Sequence, residues 1–288
     1  MKKGLNFKTL AYQQEYFKTY DDSLKLISCP FIEKYISTSF GDTHVICSGN
    51  IENPPFVLLH AASCGSPIWY KNIPFWSKYF SIFAIDLIGE SSKSILKRKM
   101  KTKLDNAKWL DETLIGLKLD KVYLCGLSIG GWNVANYAGF YPHKVLKLVL
   151  LSPVQTFAKM YPSFFVKIMK MGFHPTRKNV ENYIGWANEN EDALPDSIIK
   201  QFTISVMNMN SNASFPKWLK QEQLNNIKIP VLVLLGENEF AFSVLKAEKR
   251  AKNVIDDLDI RIVEGASHLL PVSKPNYINT KVLEFIKK

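Results

Sequence analysis

Five short apolar runs, at residues 56–59, 81–85, 122–125, 145–151 and 231–235, recur along the chain with longer segments between them. Runs this short, with no regular polar alternation, have the pattern of strands buried on both faces. Between them, apolar residues return at helical spacing: Leu104, Ala107, Leu110, Leu114 and Leu117 before the third run, and Val134, Ala135, Ala138 and Tyr141 after it. Strands with two apolar faces must be covered on both sides, and parallel neighbours need crossovers long enough to hold a helix. The expected class is therefore α/β, a mainly parallel sheet flanked by helices. An antiparallel hairpin of strands near 33–40 and 43–48 is expected at one edge, joined by Gly41-Asp42, a pair suited to a tight turn with positive φ. A last strand is expected at 260–263.

The alternation stops at Pro153 and resumes at Pro230. We read residues 154–224 as a helical cap, or lid, inserted into a core made by 1–153 and 225–288. The start of this insertion is rich in soft and aromatic side chains, Phe157, Met160, Tyr161, Phe164, Phe165, Ile168, Met169, Met171 and Phe173, with lysines between them. Such a segment reads as an amphipathic helix packed on the core, as an apolar lid over a cleft, or as both.

Composition narrows the function classes. With 47% apolar and 22% charged residues the chain is globular, and no apolar run reaches the roughly 18 residues of a bilayer span, so no stable membrane insertion is expected. The N-terminus has no apolar segment of a secretory signal, and the four cysteines, Cys29, Cys47, Cys64 and Cys125, lack C-x-x-C spacing. Reduced thiols and a cytoplasmic location are the expectation. The formal charge of +11 includes Lys93, Lys97, Arg98, Lys99, Lys101 and Lys103 with no acid among them. We read that run as a solvated loop leading into a helix, because no nucleic-acid-binding motif accompanies it. No G-x-G-x-x-G or P-loop ending points to a nucleotide, and the five histidines form neither H-x-H nor H-E-x-x-H, so neither cofactor nor metal is expected.

Gly126-Leu127-Ser128-Ile129-Gly130-Gly131 follows the third apolar run and opens a helical segment. This is a G-x-S-x-G elbow between strand and helix, which would lift the Ser128 hydroxyl from the sheet's carboxyl edge. Ile129 would then sit at a helix N-terminus, where its N–H has no intrahelical partner and can donate to a developing oxyanion. A serine hydroxyl needs a base. His44, His143 and His174 occupy a hairpin, a helix end and the insertion, whereas His268 follows the last strand in a loop at the same edge. The third group should be a carboxylate leaving another strand there. Gly236-Glu237-Asn238-Glu239 offers two. We favour Glu239, three residues past the glycine, with Glu237 as the alternative.

From residue 33 to the end, the chain resembles the α/β-hydrolase-fold serine hydrolases, and among them bacterial carboxylesterase-like members. The resemblance is carried by Leu58-Leu59-His60, Asp86-Leu87-Ile88-Gly89, the elbow, Gly236-x-x-Glu239 and Gly265-Ala266-Ser267-His268. It implies a second oxyanion donor at the Ala62 N–H and a substrate pocket lined by His60, Trp69, Phe157, Met160 and Phe164. Three departures from the family pattern stand out: Ala61 where His-Gly is common, Glu90-Ser91-Ser92-Lys93 where the family has x-Gly-x-Ser, and Glu in place of Asp in the triad. Asp86 reads as structural. The implied activity is hydrolysis of small to medium apolar carboxylic esters through an acyl-enzyme, without a cofactor. A silent small-ligand binder, or lipase, thioesterase or lactonase chemistry, is the alternative. No nucleic acid is expected as a partner, and the oligomeric state stays open.

Overall fold

The structure, a computed structural model, describes residues 7–173, 176–188, 194–208 and 215–288. Its strands are β1 (Phe31–Thr38), β2 (Gly41–Ser48), β3 (Pro55–Leu59), β4 (Ser81–Ile85), β5 (Ile95–Leu96), β6 (Val122–Leu127), β7 (Val145–Leu151), β8 (Val231–Gly236) and β9 (Leu258–Val263). They form one sheet in the order β1-β2-β4-β3-β6-β7-β8-β9, with β5 paired beside β2. Neighbours from β4 to β9 are parallel, while the β1, β2 and β5 pairings are antiparallel.

Successive side chains of a strand point to opposite faces. Phe56 and Leu58 of β3 accordingly enter one core and Val57 and Leu59 the other, and Val149/Leu151 of β7 separate from Leu148/Leu150 in the same way. One face is covered by α3 (Lys103–Gly116), α4 (Ile129–Phe140) and α9 (Val244–Val254). The other is covered by α1 (Leu10–Leu24), α2 (Ile73–Trp76) and, after the short α10 (Leu270–Ser273), α11 (Pro275–Lys287). Between β7 and β8 lie α5 (Pro162–Phe173), α6 (Arg177–Asn188), α7 (Asp196–Asn208) and α8 (Gln221–Asn225). Among the described residues this stretch adds no strand to the sheet.

Two expectations are corrected here. Thr38 pairs with Gly41, so Ser39 and Phe40 make the turn and Gly41 opens β2. Glycine is needed there because φ is 144° and a Cβ would lie 2.0 Å from the Ile95 carbonyl oxygen of β5. The basic run is not wholly solvated: Lys93 is buried, with Nζ 2.6 Å from Glu33 and 2.5 Å from Asp21. The run does lead into α3, whose start is closed by a reciprocal Thr102/Asp105 capping box.

Candidate active site

Ser128 links β6 directly to α4 with φ 56° and ψ −114°. A non-glycine residue held at such values carries roughly 1–3 kcal/mol of strain. Its surroundings hold it: the Ser128 N–H donates to the Leu151 carbonyl at 2.9 Å, and its own carbonyl accepts the Trp132 N–H at 3.0 Å. The flanking glycines serve close approach. A Cβ at Gly126 would lie 2.3 Å from the Gly130 carbonyl oxygen, and one at Gly130 would lie 2.2 Å from that of Leu59.

The Ser128 Oγ lies 2.8 Å from His268 Nε2, and His268 Nδ1 lies 2.7 Å from Glu239 Oε2. An ionised carboxylate only accepts, so Nδ1 carries the proton and Nε2 is left to accept from the serine hydroxyl. The other carboxylate oxygen, Oε1, accepts the Ala241 N–H at 2.8 Å. All three residues are buried, and the Phe240 ring packs edge-on to the imidazole at 5.6 Å. Glu237 points elsewhere, its carboxylate accepting the Gly265 N–H at 3.0 Å on an exposed part of the loop.

The remaining histidines do not join this group. His44 bridges Asp86 (3.0 Å) and Glu33 (2.8 Å). Burial works against its charge, but the two carboxylates outweigh it and raise the pKa. Asp86 also accepts from the Tyr20 hydroxyl and the Ser66 and Lys93 N–H groups, so its role is to hold the loop after β4. Although burial disfavours its charge, His44 and, to a lesser degree, the Ser66 N–H hold its carboxyl well below the usual range. His143 lies in the turn after α4, and His174 lies outside the described residues.

The Ile129 N–H belongs to the first turn of α4, where no carbonyl one turn earlier can accept it. On the facing loop, His60 Nδ1–H donates to the Ala61 carbonyl at 2.7 Å while its Nε2 accepts the Leu87 N–H at 2.9 Å. Burial lowers the His60 pKa, favouring the neutral form that this pairing requires. In a trans peptide, C=O and N–H point opposite ways. Fixing the Ala61 carbonyl against His60 therefore directs the Ala62 N–H away from the imidazole, and Ala62, Ser128 and Ile129 border a common cavity.

That cavity has a volume of about 420 Å³, within the range of small-molecule sites. Met160, Phe164, Tyr183 and Phe202 give it an apolar wall, tied to His268 through ring contacts of Phe240 with Phe164 and Tyr183. The expected lining is corrected at three positions. His60 is fully buried with its ring against the Ala61 carbonyl, Trp69 is fully buried against Trp76, and Phe157 is buried in the core cluster that also holds Met160 and Phe164 and does not reach the cavity. Sequence reasoning missed Tyr183, Ile184 and Ala187 of α6 and Ile198, Phe202 and Ser205 of α7. Their i, i+3/i+4, i+7 spacing was the available signal. It also missed Glu90, a buried acid on the wall. The α6 end is joined to the site by the Leu269 N–H, which donates to the Ala187 carbonyl at 3.0 Å. Among the described residues no cluster of three or more His, Cys, Asp or Glu could hold a metal ion.

The α/β-hydrolase-fold family model matches residues 54–275. An uncharacterized carboxylesterase, nap, of Bacillus subtilis (strain 168) is 36% identical over 94% of this chain and 91% of its own length. Carboxylesterase YbfK of the same organism is 31% identical over 98% and 97%. The crystal structure of the B. subtilis naproxen esterase (carboxylesterase NP) superposes with a TM-score of 0.91 at 32% identity, covering 97% of this chain and 99% of that one.

Proposed function

The chain belongs to the α/β-hydrolase family, and from that premise we propose that it is a carboxylic-ester hydrolase whose catalytic triad is Ser128, His268 and Glu239. The observation that carries the reading is the unbroken relay from hydroxyl to imidazole to carboxylate, 2.8 Å and 2.7 Å long, opening on an apolar cavity. As the Ser128 Oγ bonds to the acyl carbon, its proton passes to His268 Nε2. Glu239 stabilises the resulting imidazolium, and the Ile129 and Ala62 N–H groups receive the negative charge on the former carbonyl oxygen. Collapse breaks the bond to the alcohol, which takes the proton from His268. Water then repeats the sequence on the acyl-enzyme, with His268 as base, and releases the acid.

The helices of 154–224 act in this reading as a cap that shapes the apolar limb of the site, since α5, α6 and α7 all reach the cavity. Four free cysteines support a reducing, cytoplasmic setting. No helix among the described residues is long and apolar enough to cross a membrane.

A series of p-nitrophenyl esters of increasing acyl length tests the proposal. Turnover is expected for short and medium chains and should fall once the acyl group outgrows the cavity. Folded protein that hydrolyses no member of the series would instead fit a silent ligand binder.

A further inference from the structure

Glu90 lies in the loop between β4 and β5 and is 7% exposed, yet it borders the same cavity as Ser128 and His268. Its Oε2 accepts the Ser63 N–H at 3.2 Å, one residue beyond the Ala62 donor, and the Ser91 backbone N–H also supports it. No basic side chain among the described residues pairs with it. Burial pushes its pKa up, and the two amides offset this only in part. In a chain of net charge +11, the carboxylate on the wall of the catalytic cavity thus has no cation of its own among the described residues.

A brace for the Ser63 loop does not require this charge. A neutral amide could accept the same N–H, and a buried carboxylate without a cation is costly. Glu90 is the one acid among the described residues that line the cavity, where the other polar side chains are Ser63, Cys64, Ser128, Tyr183, Ser205 and His268. Elsewhere it is built of aliphatic and aromatic side chains such as Met160, Phe164 and Phe202. An acceptor isolated in this way fixes the orientation of a ligand that brings a donor to it.

We propose that Glu90 is a specificity-determining residue whose carboxylate accepts a hydrogen bond from an ammonium or hydroxyl group carried by the ester, and disfavours esters carrying a carboxylate there. This rests on the Ser128 cavity being an esterase site. It deepens that reading by adding a polar anchor to an otherwise apolar substrate. A hydrogen bond to a charged group gives about ten- to a hundredfold discrimination.

Matched p-nitrophenyl esters carrying a terminal amino, hydroxyl, methyl or carboxyl group, with the wild type and Glu90→Gln, read this directly. The wild type is expected to prefer an amino or hydroxyl ester over the methyl ester in kcat/KM, and Glu90→Gln should shrink that preference at least about tenfold while relaxing the bias against the carboxyl ester. Identical ratios in the two proteins would overturn the proposal. Calorimetry of unmodified protein with n-alkylammonium and n-alkylcarboxylate ions of equal length needs neither the variant nor turnover. Tighter binding of the ammonium supports the proposal, and equal or tighter binding of the carboxylate overturns it. Failure of a fluorophosphonate to label Ser128 would count against the esterase reading alone, leaving the calorimetric comparison as an independent result on Glu90.

Discussion

Ser128→Ala is expected to lower kcat for every ester the protein turns over by about 10⁵- to 10⁶-fold, because nucleophile and base act as one unit and removing either forfeits nearly all of the chemistry. The fold should survive. The hydroxyl bonds to His268, no core volume is removed, and the elbow is held by backbone bonds to Leu151 and Trp132 that alanine keeps. Alanine also has the same Cβ, so the strained φ of 56° is neither worsened nor relieved. Thermal melting beside steady-state kinetics checks both halves. A loss below tenfold with an unchanged melting temperature would mean that ester cleavage proceeds without Ser128.

The second large effect separates the two glutamates. Glu239→Gln should cost about 10³- to 10⁴-fold in kcat through the tautomer of His268. The Ala241 N–H requires an acceptor, so the glutamine would place its carbonyl oxygen there and turn its NH₂ toward His268 Nδ1. Nδ1 would then have to accept, the proton would move to Nε2, and the imidazole could no longer take the serine proton. Glu237→Gln should change kcat by less than about twofold, since its exposed side chain keeps an oxygen for the Gly265 N–H and forms no ion pair among the described residues. Equal losses in the two variants, or the larger loss at 237, would reverse the assignment of the acid.

The sequence contained these two glutamates but not the difference between them. Both follow β8 on one short loop, and which of them faces His268 depends on how Gly265 closes against the neighbouring turn. Ser128 and His268 were easier to find because their signals are local. A glycine-flanked turn must connect a buried strand to a helix at one point of the chain, and the last strand ends a few residues before the histidine. The sheet was legible for a similar reason, since β3, β4, β6, β7 and β8 are largely buried on both faces and read as short, mainly apolar runs. What sequence does not encode locally is which side chains of a connecting segment face a cavity and which are sealed in the core. Phe157 and Phe164 look alike in the chain and join the same core cluster, yet of the two only Phe164 borders the cavity. The buried apolar residues of α1 are Tyr16, Tyr20 and Leu24, spaced one turn apart, and such a narrow stripe is easily missed. Glu90 was legible as a departure from the family's loop pattern, but its place on the cavity wall emerges only when the loops after β3 and β4 are brought together by Asp86 and Ser63.

In the proposed mechanism three residues distant in sequence make one hydroxyl of this chain nucleophilic. Intact-mass and peptide mapping of the protein after treatment with a fluorophosphonate measures that most directly. A single adduct on Ser128 is expected, formed rapidly by the wild type and absent from His268→Ala. No adduct on properly folded protein, or an adduct on another serine, would contradict it.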